Sequence, residues 1–279
     1  MSAIYSHPSL HRDRSDPHRV WLEGRPYPNI RSVTVDQSSL WLAAGWRDLV
    51  AHPGVSLAYG AAFTGLAYLI VVGLSQLGMA SLILPLVGGF LLVAPVLAVG
   101  LYEASRRRET GEPVRLGMCW AAFRRNPVQL ASMGLVLMIL YMIWLMLALL
   151  IFAMFYNAAP PNMATFFVDI LMAPQAPLFL LVGTLVGGAL AAVAFTISVV
   201  ALPMLLHRPD TSAVFAMAAS VEAVRKNARV MIGWAAMIAV ITFAGMATFF
   251  IGLIVMLPLA GHASWHAYRG MIGDDDAAT

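Results

Sequence analysis

Four long intervals without a charged side chain constrain this chain more than any other feature. No Asp, Glu, Lys or Arg occurs from residue 49 to 102, from 126 to 168, from 170 to 207, or from 230 to 268. Each interval exceeds the ~20 apolar residues that a helix needs to cross a hydrocarbon core, and several hold two crossings. A soluble domain of this size could bury one such helix, hardly four intervals. Only 11% of the 279 residues are charged and 60% are hydrophobic, against about 25% charged in soluble domains. The expected fold class is therefore all-α, a polytopic bundle of six transmembrane helices. The spans read as about 55–75, 81–101, 129–151, 177–200, 230–247 and 249–266.

Every Lys and Arg falls before residue 48, within 106–125, within 208–229, or at 269. With six spans these positions share one side, and the positive-inside bias makes that side the cytoplasm, with both termini there. The segments on the other side carry one charge, Asp169. A net charge of +3 does not point to nucleic acid, because the cations collect at membrane borders rather than on one face of a domain. Residues 1–35 lack an apolar run and read as a disordered cytoplasmic tail rather than a signal peptide. Residues 36–270 form the membrane domain, and 271–279 a short acidic tail. The single cysteine, Cys119, excludes an internal disulfide.

An internal repeat emerges from the polar borders. WRDLVAHPGVSLAYG (Trp46 to Gly60) and WAAFRRNPVQLASMG (Trp120 to Gly134) share Trp, Pro and the closing Gly at constant spacing. VEAVRKNARVMIGWA (Val221 to Ala235) follows the same plan. The repeat unit is an interfacial helix, a span out and a span back, used three times over about 37–108, 112–208 and 212–269. In the first interfacial helix Leu40, Leu42, Ala43, Trp46, Leu49 and Val50 supply the apolar spacing. On the far side, residues 162–172 are expected to form a short helix capped by Asn162, with Phe166, Phe167, Ile170 and Leu171 against the membrane.

Gly88, Gly89, Gly183 and Gly187 stand where backbones can approach closely, the last two as a GxxxG, and are candidates for helix packing. Pro95, Pro203 and Pro258 are candidate kinks, since each frees a carbonyl in or near a span. A belt of cations and aromatics is placed to meet lipid headgroups: Trp46, Arg47, Arg106, Arg107, Arg108, Arg124, Arg125, Arg225, Lys226, Trp265, Tyr268 and Arg269. Anionic lipids are the partners that such a belt would attract.

The motifs also resemble a known family. WLAAGWRDLVAHPGVSLAYG, LPLVGGFLLVAPVLAVGLYEASRR, GEP at Gly111 to Pro113, RRNP at Arg124 to Pro127, FLLVGTLVG, ISVVALPMLL and GHASWHAYR are similar to the bacterial integral membrane proteins grouped as domain of unknown function 2189. The likeness runs from about residue 36 to 270. It implies an inner-membrane protein of proteobacteria and brings no catalytic residues with it.

Two histidines at helical spacing, His262 and His266, could hold a metal ion with His52 and His207, and Glu103 could join them. The competing reading is an ordinary interfacial girdle, because Trp265, Tyr268 and Arg269 surround the pair. Glu103 is also placed to pair with Arg106 to Arg108. No acidic residue lies well inside a span, which argues against an ion-coupled pump. No Ser, His and Asp grouping and no phosphate-cradling loop is evident in the sequence, so the chain reads as non-enzymatic and without a cofactor. Two functions remain: a scaffold, assembly or membrane-organising protein with a possible membrane-protein partner, or a transporter or channel-like protein for a lipid or small neutral solute.

Overall fold

A computed structural model describes residues 21–22, 25–26, 28–156 and 166–273. It is an all-α, polytopic membrane helix bundle, apart from a two-residue ladder between β1 (Trp21–Leu22) and β2 (Arg25–Pro26). Five helices or helix pairs are long and apolar enough to cross a bilayer. They are α2 (Pro53–Gln76), the pair α3 (Ile83–Leu97) and α4 (Val99–Glu109), α6 (Pro127–Phe155), the pair α8 (Ala176–Ser198) and α9 (Ala201–His207), and α11 (Ala228–Ala247). The sixth expected span coincides with α12 (Leu253–Met271), which is 19 residues long but carries two histidines and an arginine in its second half. α12 does not meet the hydropathy of the other five.

Shorter helices border the spans at one end: α1 (Gln37–Ala51), α5 (Leu116–Ala121) and α10 (Ala213–Lys226). Each passes into a span through a break in the helix. α1 turns into α2 at His52, a 3-10 turn after α5 turns into α6 at Asn126, and α10 turns into α11 at Asn227. Pro53 and Pro127 sit in the first turns of α2 and α6, where a missing N–H leaves no bond unmade. Both buried asparagines use their side chains to tie down other segments. Asn126 donates to the carbonyls of Leu205 and Thr211, just ahead of α10. Asn227 donates to the carbonyl of Arg31 and accepts from the amide of Val33, just ahead of α1.

The packed core lies at this end. α4, α9 and α12 meet there, with α1, α2 and α11 also against α12. Residues 99–106 of α4 and 201–206 of α9 are buried without interruption. Toward the other end the helices are largely bare: the most apolar 18-residue windows of α2, α6 and α11 are only 28%, 17% and 22% buried. Two glycines set the closeness of the core. A Cβ on Gly45 would lie 2.6 Å from the backbone of Ala263, and one on Gly60 would lie 2.1 Å from the Ile254 carbonyl. Only glycine lets α1 and α2 approach α12 this closely.

Two of the spans are interrupted, and the interruptions are filled by side chains. Between α8 and α9 the Ser220 hydroxyl donates to the Thr196 carbonyl (2.7 Å) and accepts from the Val200 amide (3.2 Å), bridging one missing rung of the helix. Between α3 and α4 the Tyr59 hydroxyl donates to the Leu97 carbonyl at 2.5 Å.

Several expectations change. Residues 29–33 belong to the stretch expected to be a disordered tail, yet they are tied into the fold: Ile30 bridges Ile272, the Arg31 amide bonds the Met271 carbonyl, and Lys226 donates to the Ile30 carbonyl. Most of the earlier tail and residues 274–279 lie outside the described residues. On the far side α7 (Phe166–Met172) is present, and Asn162 lies outside the described residues. Ile170 does not face lipid: it is 2% exposed and packs with Ile83 in a small satellite core. α1 buries Ser38, Trp41, Gly45, Asp48 and Leu49, whereas Leu40, Trp46 and Val50, which share its expected apolar spacing with Leu49, are half exposed or more.

Candidate functional site

Where α1, α2, α4 and α12 converge, polar side chains form a buried chain of hydrogen bonds. Asp48 projects from the last turn of α1 and is 2% exposed. Its Oδ2 accepts from Ser105 Oγ at 2.5 Å and from His266 Nε2 at 2.8 Å, and its Oδ1 accepts from Arg108. His262, one turn before His266 on α12, has Nδ1 2.8 Å from Ser105 Oγ and Nε2 3.0 Å from Ser56 Oγ in the first turn of α2. Ser56 and His262 are 0% and 1% exposed.

The donor inventory fixes the direction of this chain. An ionised carboxylate only accepts, so the single Ser105 proton goes to Asp48. Ser105 Oγ must then accept from His262 Nδ1–H, which leaves Nε2 of the neutral ring to accept from Ser56. Every bond thus points from Ser56 through His262 and Ser105 to Asp48. Burial raises the Asp48 pKa, but the bonds from His266 and Ser105 together with nearby positive charge outweigh it, and the carboxyl sits below its ordinary value.

A second cluster closes the end of α4. Glu103, 1% exposed, accepts from Arg106 at 2.8 and 3.0 Å and from Arg107 at 2.7 Å, with Arg125 at 3.7 Å. Glu112, from the GEP segment, accepts from Arg106 at 2.9 Å, and this bond holds its carboxyl below the usual range. Glu109 accepts from Trp265 Nε1 and Arg269 Nε, both at 3.0 Å. Cys119 is 1% exposed, and burial pushes its thiol up to about 11.

Residues 83–207 match the family described as predicted integral membrane protein, DUF2189. The matched stretch runs from the start of α3 to the end of α9. It includes Ser105, Arg108 and the Glu103 cluster, but neither Asp48 nor the α12 histidines. No curated protein and no solved structure matches the chain.

The expected site residues are distributed as follows. His262 and His266 share the Asp48 network, but His207 turns to Tyr268, with Nδ1 3.0 Å from its hydroxyl. Among the described residues no three His, Cys, Asp or Glu side chains are grouped to hold a metal ion. Of the belt expected at lipid headgroups, Trp46, Arg47, Arg124, Arg125, Arg225 and Lys226 are exposed. Arg108 is also exposed but paired with Asp48, while Arg107 and Arg269 are partly covered and paired with Glu103 and Glu109. Arg106, Trp265 and Tyr268 are corrections: they are 8%, 0% and 0% exposed, because α4 and α12 form the centre of the core rather than its rim. Gly88, Gly89 and Gly187 pack against Trp144 and Tyr141, whereas a Cβ on Gly183 would meet nothing within 4 Å. The GxxxG pair is therefore split. Pro95 and Pro258 lie inside α3 and α12, and Pro203 is buried in α9.

Sequence reasoning missed Asp48, Ser56 and Ser105, and with them a Ser, His and Asp grouping. One signal was available. In the three stretches aligned from the sequence, Asp48 stands where Ala122 and Ala223 stand, both buried, so a charge takes the place of a small apolar side chain.

Proposed function

We propose that this chain is a scaffold or assembly protein of the bacterial inner membrane, whose polar end fixes interfacial helices to a rigid core and presents them to lipid and to a membrane-protein partner. The observation that carries this reading is the Asp48 network. A buried carboxylate satisfied from three directions joins α1, α2, α4 and α12, and with Ser56 fully buried the group works as a clamp rather than as a nucleophilic site. The helix breaks favour the same reading over a transporter: the freed groups at Leu97, Thr196 and Val200 are taken up by Tyr59 and Ser220, where a solute path would leave them to water and substrate.

In this reading α12 is the sixth crossing, the polar end faces the cytoplasm, and three units of interfacial helix, span out and span back surround a pseudo-threefold centre. Repeat-equivalent Asn126 and Asn227 gripping the segment ahead of the next interfacial helix, and α4, α9 and α12 meeting at the core, are what support it. Exposed Trp46 and Trp120, equivalent in the repeat and 50% and 55% exposed, are suited to headgroup depth.

The test is extraction of the full chain from native membranes into a lipid-preserving polymer, followed by mass spectrometry of what travels with it. A stoichiometric membrane-protein partner is expected. Absence of any such partner, together with solute flux across vesicles reconstituted with the pure chain, would replace the scaffold with a transporter.

A further inference from the structure

We propose that the foot of α11 is a seat for one anionic phospholipid, its phosphate held by Lys226 and Arg229 and its acyl chains lying along the bare face of α11. The inference rests on the membrane-crossing role given to α11 above, not on the existence of a protein partner.

Three observations converge there. A shallow recess of about 340 Å³ lies between residues 32–35, ahead of α1, and residues 226–230 at the junction of α10 and α11. Its cationic lining is Lys226 and Arg229. Lys226 gives one proton to the Ile30 carbonyl and keeps two for a ligand. Arg229 is exposed and has no acidic partner among the described residues, unlike Arg106, Arg107, Arg108, Arg225 and Arg269, which are each paired with a carboxylate. Arg229 also begins a bare stripe. Ile232, Val240 and Phe243, three, eleven and fourteen positions on and so on the same helical face, are 71%, 68% and 72% exposed.

A double cation at a recess, directly below an uncovered apolar stripe, has the polarity of a phospholipid read from headgroup to tail. Free phosphate would use the cations and leave the stripe unexplained. Asp36 follows the lining residue Val35 in the chain, and its carboxylate, bonded by Thr34, disfavours binding of an anion beside Thr34. Ser32 is the neutral hydroxyl left to the phosphate.

The experiment titrates dioleoyl phosphatidylglycerol into the purified full chain in detergent and counts retained lipid by native mass spectrometry, with dioleoyl phosphatidylethanolamine and inorganic phosphate as separate arms. One phosphatidylglycerol should be retained in preference to phosphatidylethanolamine, and inorganic phosphate should not displace it. Lys226→Gln with Arg229→Gln should weaken retention about thirtyfold, Val240→Gln should weaken it as well, and Arg115→Gln, exposed just ahead of α5, should leave it unchanged. Retention unaltered in the folded double variant overturns the proposal, as does displacement by inorganic phosphate. Should the double variant not fold, a photoactivatable phosphatidylglycerol on the unaltered chain decides: crosslinks within residues 226–243 are required, and crosslinks confined elsewhere overturn the seat. Loss of the lipid with a protein partner still co-purifying would leave the scaffold reading standing.

Discussion

Ser105 donates its hydroxyl proton to Asp48 across a 2.5 Å hydrogen bond that joins α4 to α1 inside the core. That bond closes a group in which Asp48, Ser56, Ser105 and His262 are each buried and each hydrogen-bonded, so its loss is felt by several side chains together. Asp48→Ala would leave Arg108, His266 and Ser105 facing a void. A loss of about 3–5 kcal/mol is expected, read as a large fall in the thermal midpoint of the detergent-solubilised protein. An unchanged midpoint would mean that the clamp carries no load.

The same carboxylate makes stability depend on acid. Its folded pKa lies below the ordinary value through hydrogen bonds that outweigh burial, so the folded state binds this proton less readily than the unfolded chain. The contribution is full above about pH 4, the unfolded carboxyl range, and disappears as pH falls through the lower folded value. Melting curves of the natural protein and Asp48→Asn should therefore differ at pH 7 and converge in strong acid. Parallel curves throughout would place the acid dependence elsewhere.

Glycines along the spans are not equivalent. Gly60→Ala would press a methyl group into the Ile254 carbonyl and separate α2 from α12, at a cost of about 1–3 kcal/mol. Gly183→Ala meets open space and should be neutral or slightly stabilising, because alanine is the better helix former. Thermal midpoints of the two variants separate these outcomes, and equal losses at both sites would contradict the packing described.

Ser220→Ala removes the only side-chain bridge described between Thr196 and Val200. The part-buried Thr196 carbonyl and the buried Val200 amide would each lose a partner, costing about 1–3 kcal/mol. Hydrogen exchange is the sharper readout: the Val200 amide should exchange faster in the variant while amides in the middle of α8 keep their protection. Uniform protection would show that the helix break re-forms its own bond.

Much of the architecture was legible in the sequence because lipid imposes it. The charge-free intervals located the five apolar spans. The interior of the polar end was not legible. A helix at a membrane border has two apolar surroundings, protein on one side and lipid on the other, so Leu40, Trp46 and Val50 could satisfy the pattern of α1 while facing away from the core. Its protein face is instead made of Ser38, Trp41, Gly45 and Asp48, chosen for close approach and hydrogen bonding. Trp265 and Tyr268 misled for a related reason. Aromatics at the foot of a span ordinarily mark the interface, but α12 is encircled at that depth by its neighbours, and nothing local to GHASWHAYR records the enclosure.

The uneven burial along the spans gives the bilayer a structural duty. At the polar end each helix finds its neighbours, whereas the outer stretches of α2, α6 and α11 are walled mainly by whatever surrounds the molecule. Acyl chains are then wall material for the far half of the architecture. Bilayer thickness and chain order become settings that adjust the outer helices while the clamped foot keeps its shape.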